Sequence, residues 1–196
     1  MTNQKYEYFT RGMLEDPKAA AINYFFNIDK PHKFDDGVKM FNNCASDVYA
    51  TLDPQNGDLL TDILYNFTDL FVVNEKTKEI LFKEGLDKDF IEYIPFQLKN
   101  KKKKIIKGVQ YYIVNPTNKI ECVDRSSSKF STRDDGVTII EISCLHLIND
   151  KIPKDAKLFR LKECSNIIVY RSDLINVFKK NKLSGLPLSA MGEKIW

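Results

Sequence analysis

The sequence predicts an α+β fold of mainly antiparallel strands and hairpins, with two or more short helices packed on them. Three observations predict it. Short apolar segments of strand length recur between clusters of Asn, Asp, Gly, Pro and Ser. Only two segments combine a helical apolar period with start and stop signals. A strand that feeds a short helix occurs twice, which suggests a weak internal duplication.

In chain order, residues 5–9 alternate, with Tyr6 and Tyr8 on one side and Phe9 on the other, as in a short strand. The segment Ala19 to Ile28 reads two ways. Its alanines favour a helix, whereas Tyr24-Phe25-Phe26 favours a strand, and so short an apolar run has no deciding period. Val48 to Leu52 reads as a strand that stops at the dense turn signal Asp53-Pro54-Gln55-Asn56-Gly57.

The clearest helix spans about 75–84. Asn74 can accept from the first-turn amides, Thr77, Ile80, Leu81 and Glu84 recur at helical spacing, and Gly85 permits the left-handed stop. A second helix runs from Asp173 to about Asn181, with Ser172 as its cap and Leu174, Val177 and Phe178 as its apolar stripe. Each helix is only about three turns long and depends on tertiary packing to persist.

Between the helices, strands are predicted over Phe90 to Leu98, Ile105 to Val114, Lys119 to Val123, Val137 to Ile142 and Lys157 to Leu161. Asn115-Pro116-Thr117-Asn118 reads as a hairpin turn, as does Asn100 with the lysines after it. The Ser- and charge-rich stretch Arg125 to Asp135 reads as a longer exposed loop. At an offset of 97, Leu70-Phe71-Val72-Val73 matches Ile167-Ile168-Val169-Tyr170, and Thr77, Ile80, Leu81 and Leu86 match Leu174, Val177, Phe178 and Leu183. Asp-Asp-Gly-Val also occurs twice, at 35–38 and 134–137. A length of 196 residues suits one domain over 1–196; the other division is into lobes 1–124 and 137–196, joined by the Ser- and charge-rich loop.

Composition narrows the function classes. Hydrophobic residues at 43% and charged residues at 29% mark a globular chain able to build a core, not a disordered one. A net charge of +3 selects no ligand by itself. The polar start Met1 to Glu7 has no apolar core of a signal peptide, and no apolar run approaches the roughly 20 residues of a membrane span. A cytoplasmic location and no membrane partner are therefore expected. The cysteines at 44, 122, 144 and 164 form no Cys-x-x-Cys pair and read as reduced thiols.

No catalytic, cofactor-binding or metal-ligating residue is predicted, and no small-molecule ligand. His32 and His146 lie apart with no metal-ligand spacing around them. Cys144 and His146 would share a face of one strand, the arrangement a thiol-dependent enzyme needs, but Cys144 sits in an apolar run where an inert buried thiol is the usual outcome. Asp35-Asp36 and Asp134-Asp135 each precede glycine, which marks turns before ion binding. Phosphate-cradling and serine-hydrolase glycine motifs are missing.

The strongest local charge is Lys101-Lys102-Lys103-Lys104, extended by Lys99 and Lys107. Between two apolar strands it reads as the solvated tip of a hairpin. The stretch 99–107 would serve an acidic protein surface or, as an alternative, nucleic acid, although no aromatic stacking motif accompanies it. The residues expected to meet a partner are Lys101, Lys102, Lys103 and Lys104, with Arg133, Asp134 and Asp135 in the second charged loop.

Two stretches carry a resemblance. The first is Leu60-Thr61-Asp62-Ile63-Leu64, then Asp69-Leu70-Phe71-Val72-Val73-Asn74-Glu75-Lys76 with Gly85-Leu86, then Ile91 to Phe96 and Tyr111 to Pro116. The second is Leu158-Phe159-Arg160-Leu161, Ile167-Ile168-Val169, Leu183 and Gly185-Leu186. Together they resemble the immunity proteins of bacterial polymorphic toxin systems, in the family named after a myxobacterial immunity protein. They cover a little over half the chain, and Asn74 stands where that family often has a serine cap. The resemblance implies a protein that binds and neutralises a cognate toxin, with no enzymatic activity, no cofactor and no fixed set of functional residues.

Overall fold

The computed structural model describes residues 6–194. Among them are thirteen strands and two α-helices. The strands are β1 (Tyr8–Arg11), β2 (Ala21–Ile28), β3 (Cys44–Leu52), β4 (Tyr65–Asn66) and β5 (Phe71–Asn74); helix α1 (Glu75–Lys83) follows. Next come β6 (Ile91–Lys99), β7 (Tyr111–Pro116), β8 (Lys119–Ile120), β9 (Lys129–Thr132), β10 (Ile139–Cys144), β11 (Leu158–Leu161) and β12 (Ile168–Arg171). Helix α2 (Ser172–Lys180) and β13 (Leu188–Ala190) complete the order, and short 3-10 turns occupy Pro31–Phe34, Phe41–Asn43 and Asn149–Lys151.

Two main sheets result. One has the order β4-β2-β3-β6-β7-β5, the other β13-β1-β12-β11-β8, and β9 with β10 forms a separate ribbon. Seven of the ten strand pairings are antiparallel; β2–β4, β3–β6 and β8–β11 are parallel. The fold is α+β as the sequence predicts. β1 and β8, which lie within 1–124, pair with strands from the C-terminal part of the chain.

The helices end as their sequences require, but they do not begin alike. At α1, Asn74 accepts from Thr77 N at 3.0 Å and fills one of the orphan donors of the first turn. At α2 the flanking residue is Arg171, which makes no side-chain cap. Ser172 is already helical, and its hydroxyl accepts from Glu7 N. The expected Ser172 cap is therefore corrected: the guanidinium of Arg171 is engaged with Asp173 instead. The buried stripe is Leu174, Ile175 and Phe178, with Val177 half-exposed, because α2 is rotated toward Ile175.

Other expectations are adjusted. Ala19 to Ile28 resolves as a strand, and the strand expected over 5–9 is shifted to Tyr8–Arg11; Lys5 lies outside the described residues. In the predicted strand over Ile105 to Val114, only Tyr111 onward joins the sheet; Ile105 makes a single bridge to Lys99 as the chain leaves the lysine tip. Asn115 to Asn118 is not a hairpin. Asn115 and Pro116 still pair with β6, and Lys119 then enters the other sheet beside β11. Part of the expected loop Arg125 to Asp135 is strand β9, paired with β10.

Three apolar clusters fill the interior. One lies under β2, β3, β6 and β7 around Phe34, Met40 and Phe96, and another around Cys122, Ile142 and Phe159. The third gathers Phe71, Val73, Leu81, Ile168, Tyr170, Leu174 and Phe178 between the two strand-to-helix units.

Candidate functional site

The lysine run forms a tight tip. Asn100 Oδ1 accepts from the amides of Lys102 and Lys104, both at 3.0 Å, and Asn100 N donates to Lys104 O at 2.8 Å. Lys103 takes the left-handed conformation that closes the turn, with φ of 60°. The four lysines do not act alike. Lys101 pairs with Asp58 at 3.1 Å and also reaches Asn56 O, so it staples the tip to the neighbouring turn. Lys102, Lys103 and Lys104 are exposed, with no ion pair among the described residues. Lys99 lies 3.3 Å above the ring of Tyr49, which stacks on Phe26.

Arg133, Asp134 and Asp135 stand at the exposed end of the β9–β10 ribbon. Asp135 is occupied with the turn itself. It accepts from Val137 N and Thr138 N at 2.8 Å each and from Thr138 Oγ1 at 2.6 Å. Those hydrogen bonds, the Thr138 hydroxyl first, hold its carboxyl down at about 2. The lysine tip and the Arg133 tip belong to different sheets, and no hydrogen bond or ion pair joins them among the described residues. Asp35-Asp36-Gly37 is likewise a turn. Gly37 has φ of 55°, and a Cβ there would meet Arg160 Cδ at 2.6 Å.

Cys144 and His146 do come together, with Sγ 3.7 Å from Nε2. The thiol donates to Gly192 O at 3.3 Å, and no carboxylate hydrogen-bonds the imidazole among the described residues. The pair lacks the orienting third group on which nucleophilic catalysis usually depends. At Cys44, Cys122 and Cys164, burial pushes the thiols up to about 11, 12 and 11. No group of three or more His, Cys, Asp or Glu side chains is placed to hold a metal ion among the described residues. No helix there is long and apolar enough to cross a membrane.

Sequence reasoning missed a buried polar hub. Arg160 on β11 is 1% exposed and donates to Pro116 O at 2.8 Å, Ser165 O at 2.7 Å and Asn115 Oδ1 at 3.1 Å. Burial lowers its pKa to about 10, opposed by Tyr170 and Asp35. Asn115 donates onward to Val38 O and Glu92, and Glu92 accepts from the amides of Met40 and Phe41. Ser165 Oγ and Lys119 Nζ donate to the carbonyls of Asp35 and Asp36, both at 2.6 Å. The segment from 35 to 41 is thus pinned to both main sheets. The only prior signal was an arginine alternating with apolar residues in Leu158-Phe159-Arg160-Leu161.

A cleft of about 260 Å³ opens where the pinned segment begins, at Asp35 and the turn before it. Pro31, His32, Phe34 and Asp35 face Tyr24, Phe25 and Ile28 of β2, with Thr68 and Leu70 closing the side. Beyond Ile22, β2 has no strand neighbour on this edge among the described residues, because β4 meets it at Ala21 and Ile22. Tyr24 and Phe67 nearby are 61% and 56% exposed.

A family model described as Immunity protein family (Imm11) matches residues 12–193. That is nearly the whole chain, and the chain belongs to this family. The match includes the N-terminal stretch, which the two resembling segments had left out. No curated protein matches the chain.

Proposed function

We propose that this member of the Imm11 immunity family acts in the cytoplasm, where it binds a cognate bacterial toxin and neutralises it by protein-to-protein inhibition, without catalysis of its own. The observation that carries the reading is the family match over 12–193. The surface chemistry agrees with it. Exposed Lys102, Lys103 and Lys104, with Lys101 at their base, and the separate tip of Arg133, Asp134 and Asp135 supply charged rims of the kind that speed encounter with a partner. Cys144 has an imidazole beside it but no orienting acid among the described residues, which favours a structural thiol over a nucleophile.

The test is co-expression with the product of the gene immediately upstream. The expected result is a complex that co-purifies and cells that survive the toxin, with Cys144→Ala protecting as well as the native chain. Loss of protection in Cys144→Ala with the complex intact, or turnover of a small substrate by the purified chain, would overturn the reading. So would failure to form a complex with any neighbouring product. Neutralising Lys102, Lys103 and Lys104 should slow association and flatten its salt dependence while leaving dissociation nearly unchanged.

A further inference from the structure

Two features meet at the outer margin of the six-stranded sheet. The first is an open strand edge: β2 pairs with β3 from Ile22 to Ile28 but, among the described residues, has a strand on its other side only at Ala21 and Ile22. Exposed edges are templates for a further strand, and proteins commonly blunt them with charge, proline or a bulge. Here the register shifts at both ends, at Ile22/Tyr24 and at Phe26/Ile28, where Asn27 has φ of 65°, but Ala21–Ile28 carries neither charge nor proline, and Tyr24 and Phe26 are exposed aromatics.

The second feature is the cleft beside that edge. Its walls are aromatic and apolar, with Tyr24, Phe25, Phe34 and His32 among them, and it holds one carboxylate, Asp35. The Asp35 side chain makes no hydrogen bond and no ion pair among the described residues; its contact with Ser165 is through its carbonyl. Desolvation raises its pKa and outweighs the opposing charge of Arg160, which makes no ion pair with it. Lys30 and Lys33 lie on the adjoining turn, but neither lines the cleft. An acid among aromatic faces is complementary to a guanidinium or ammonium group, which gains both the ion pair and the ring quadrupoles.

We propose that this cleft receives an Arg or Lys side chain of the partner toxin, presented on an extended segment that lies along the open edge of β2. The inference rests on the toxin-binding reading above and adds the contact surface and the partner's chemistry. In this mode, main-chain pairing supplies affinity while the cleft selects the side chain. Ser165 and Lys119 act behind it, because they hold the carbonyls of Asp35 and Asp36, and Glu92 holds the amides of Met40 and Phe41 further along the segment.

Two experiments on the full chain test it. In the first, N-acetyl-arginine amide is titrated by NMR. It should shift the ring signals of Tyr24 and Phe34, and the shifts should vanish in Asp35→Asn, which sacrifices no hydrogen bond of the fold. Shifts that are absent, that persist in Asp35→Asn, or that the uncharged norleucine amide reproduces overturn the proposal. In the second, affinity for the toxin domain encoded upstream should fall at least tenfold in Asp35→Asn and in Tyr24→Ser. Undiminished affinity in both variants overturns the docking surface and leaves toxin binding standing. A native chain that takes up the arginine amide but forms no complex removes the proposed function and the docking with it.

Discussion

The two strand-to-helix units, Phe71 to Leu86 and Ile168 to Leu183, share a backbone and differ in almost every polar device that holds it. In each, the strand passes directly into a nine-residue helix, and the offset of 97 aligns both ends. The closing hydrogen bonds obey the same offset: Leu86 N to Leu81 O and Gly85 N to Phe82 O in one, Leu183 N to Phe178 O and Lys182 N to Lys179 O in the other. Flanking strands correspond as well. β7 borders β5 as β1 borders β12, although β1 comes from the opposite end of the chain. Asp62 and Lys157 occupy equivalent places, each accepting through its carbonyl from the residue before the helix, Asn74 or Arg171. Each then reaches across to the far end of the other unit, Asp62 to Ser184 and Lys157 to Glu84. The lesson is that backbone pattern and apolar positions persist in both copies while caps and charges are free to diverge.

The comparison breaks most severely at the shared core. Phe71 of the first unit, 2% exposed, meets Tyr170 of the second edge-to-face with ring centroids 5.2 Å apart. Phe71→Ala should cost about 3–5 kcal/mol, measured by denaturant unfolding, because it removes a large side chain between two rigid layers. A loss below about 1 kcal/mol would mean that the units stand independently.

The caps sharpen the comparison next. Asn74→Ala should cost about 1 kcal/mol, since Asn74 caps Thr77 and also donates to Asp62. Ser172→Ala, at the residue the sequence selects as a cap, should change stability by less than about 0.5 kcal/mol, because its hydroxyl caps nothing within α2. Equal losses in the two variants would restore the sequence-based assignment.

The helix stops should respond with opposite signs. Gly85 and Lys182 hold the same left-handed position, with φ of 76° and 51°. Gly85→Lys should cost about 1 kcal/mol, and Lys182→Gly should gain a few tenths, because relief of side-chain strain slightly exceeds the added unfolded-state entropy. Thermal melts of the two variants, displaced in opposite directions, are the check.

These effects explain what was legible in the sequence. Helix α1 was read nearly to its ends because its cap, stripe and stop are all local: Asn74, then Thr77, Ile80 and Leu81, then Gly85. The lysine tip was legible for the same reason, since Asn100 closes it within four residues. Helix α2 misled at its start because Arg171, not Ser172, precedes the first helical residue, and its guanidinium reaches Lys154 O across the chain. β2 was ambiguous because two register shifts, at Ile22/Tyr24 and Phe26/Ile28, break the alternation that identifies a strand. β9 was hidden because Phe130 is its only large apolar residue. The cleft was invisible because a strand edge, a 3-10 turn and the loop at 68–70 contribute one wall each. Arg160 gives no local sign that its partners are carbonyls 44 and 5 residues away.

The smallest effect concerns the charged tie between the units. Burial of Asp62 opposes its ionisation, but hydrogen bonds from Ser184 and Asn74, together with Lys76 at 3.4 Å, outweigh it and hold its pKa below the ordinary 3.8. A carboxyl depressed on folding stabilises the native state above its unfolded pKa, and that contribution disappears as pH falls through the folded value. The difference in stability between the native chain and Asp62→Asn should therefore be constant near neutrality and shrink only below about pH 4. Lys157, the equivalent residue, carries the opposite charge and reaches the Glu84 carboxylate at 2.8 Å, so the two copies place a charged tie at the same position with the sign reversed. If the difference for Asp62→Asn instead stays flat from pH 7 to pH 3, this tie owes its strength to packing, and the divergence in charge between the copies has no energetic consequence at Asp62.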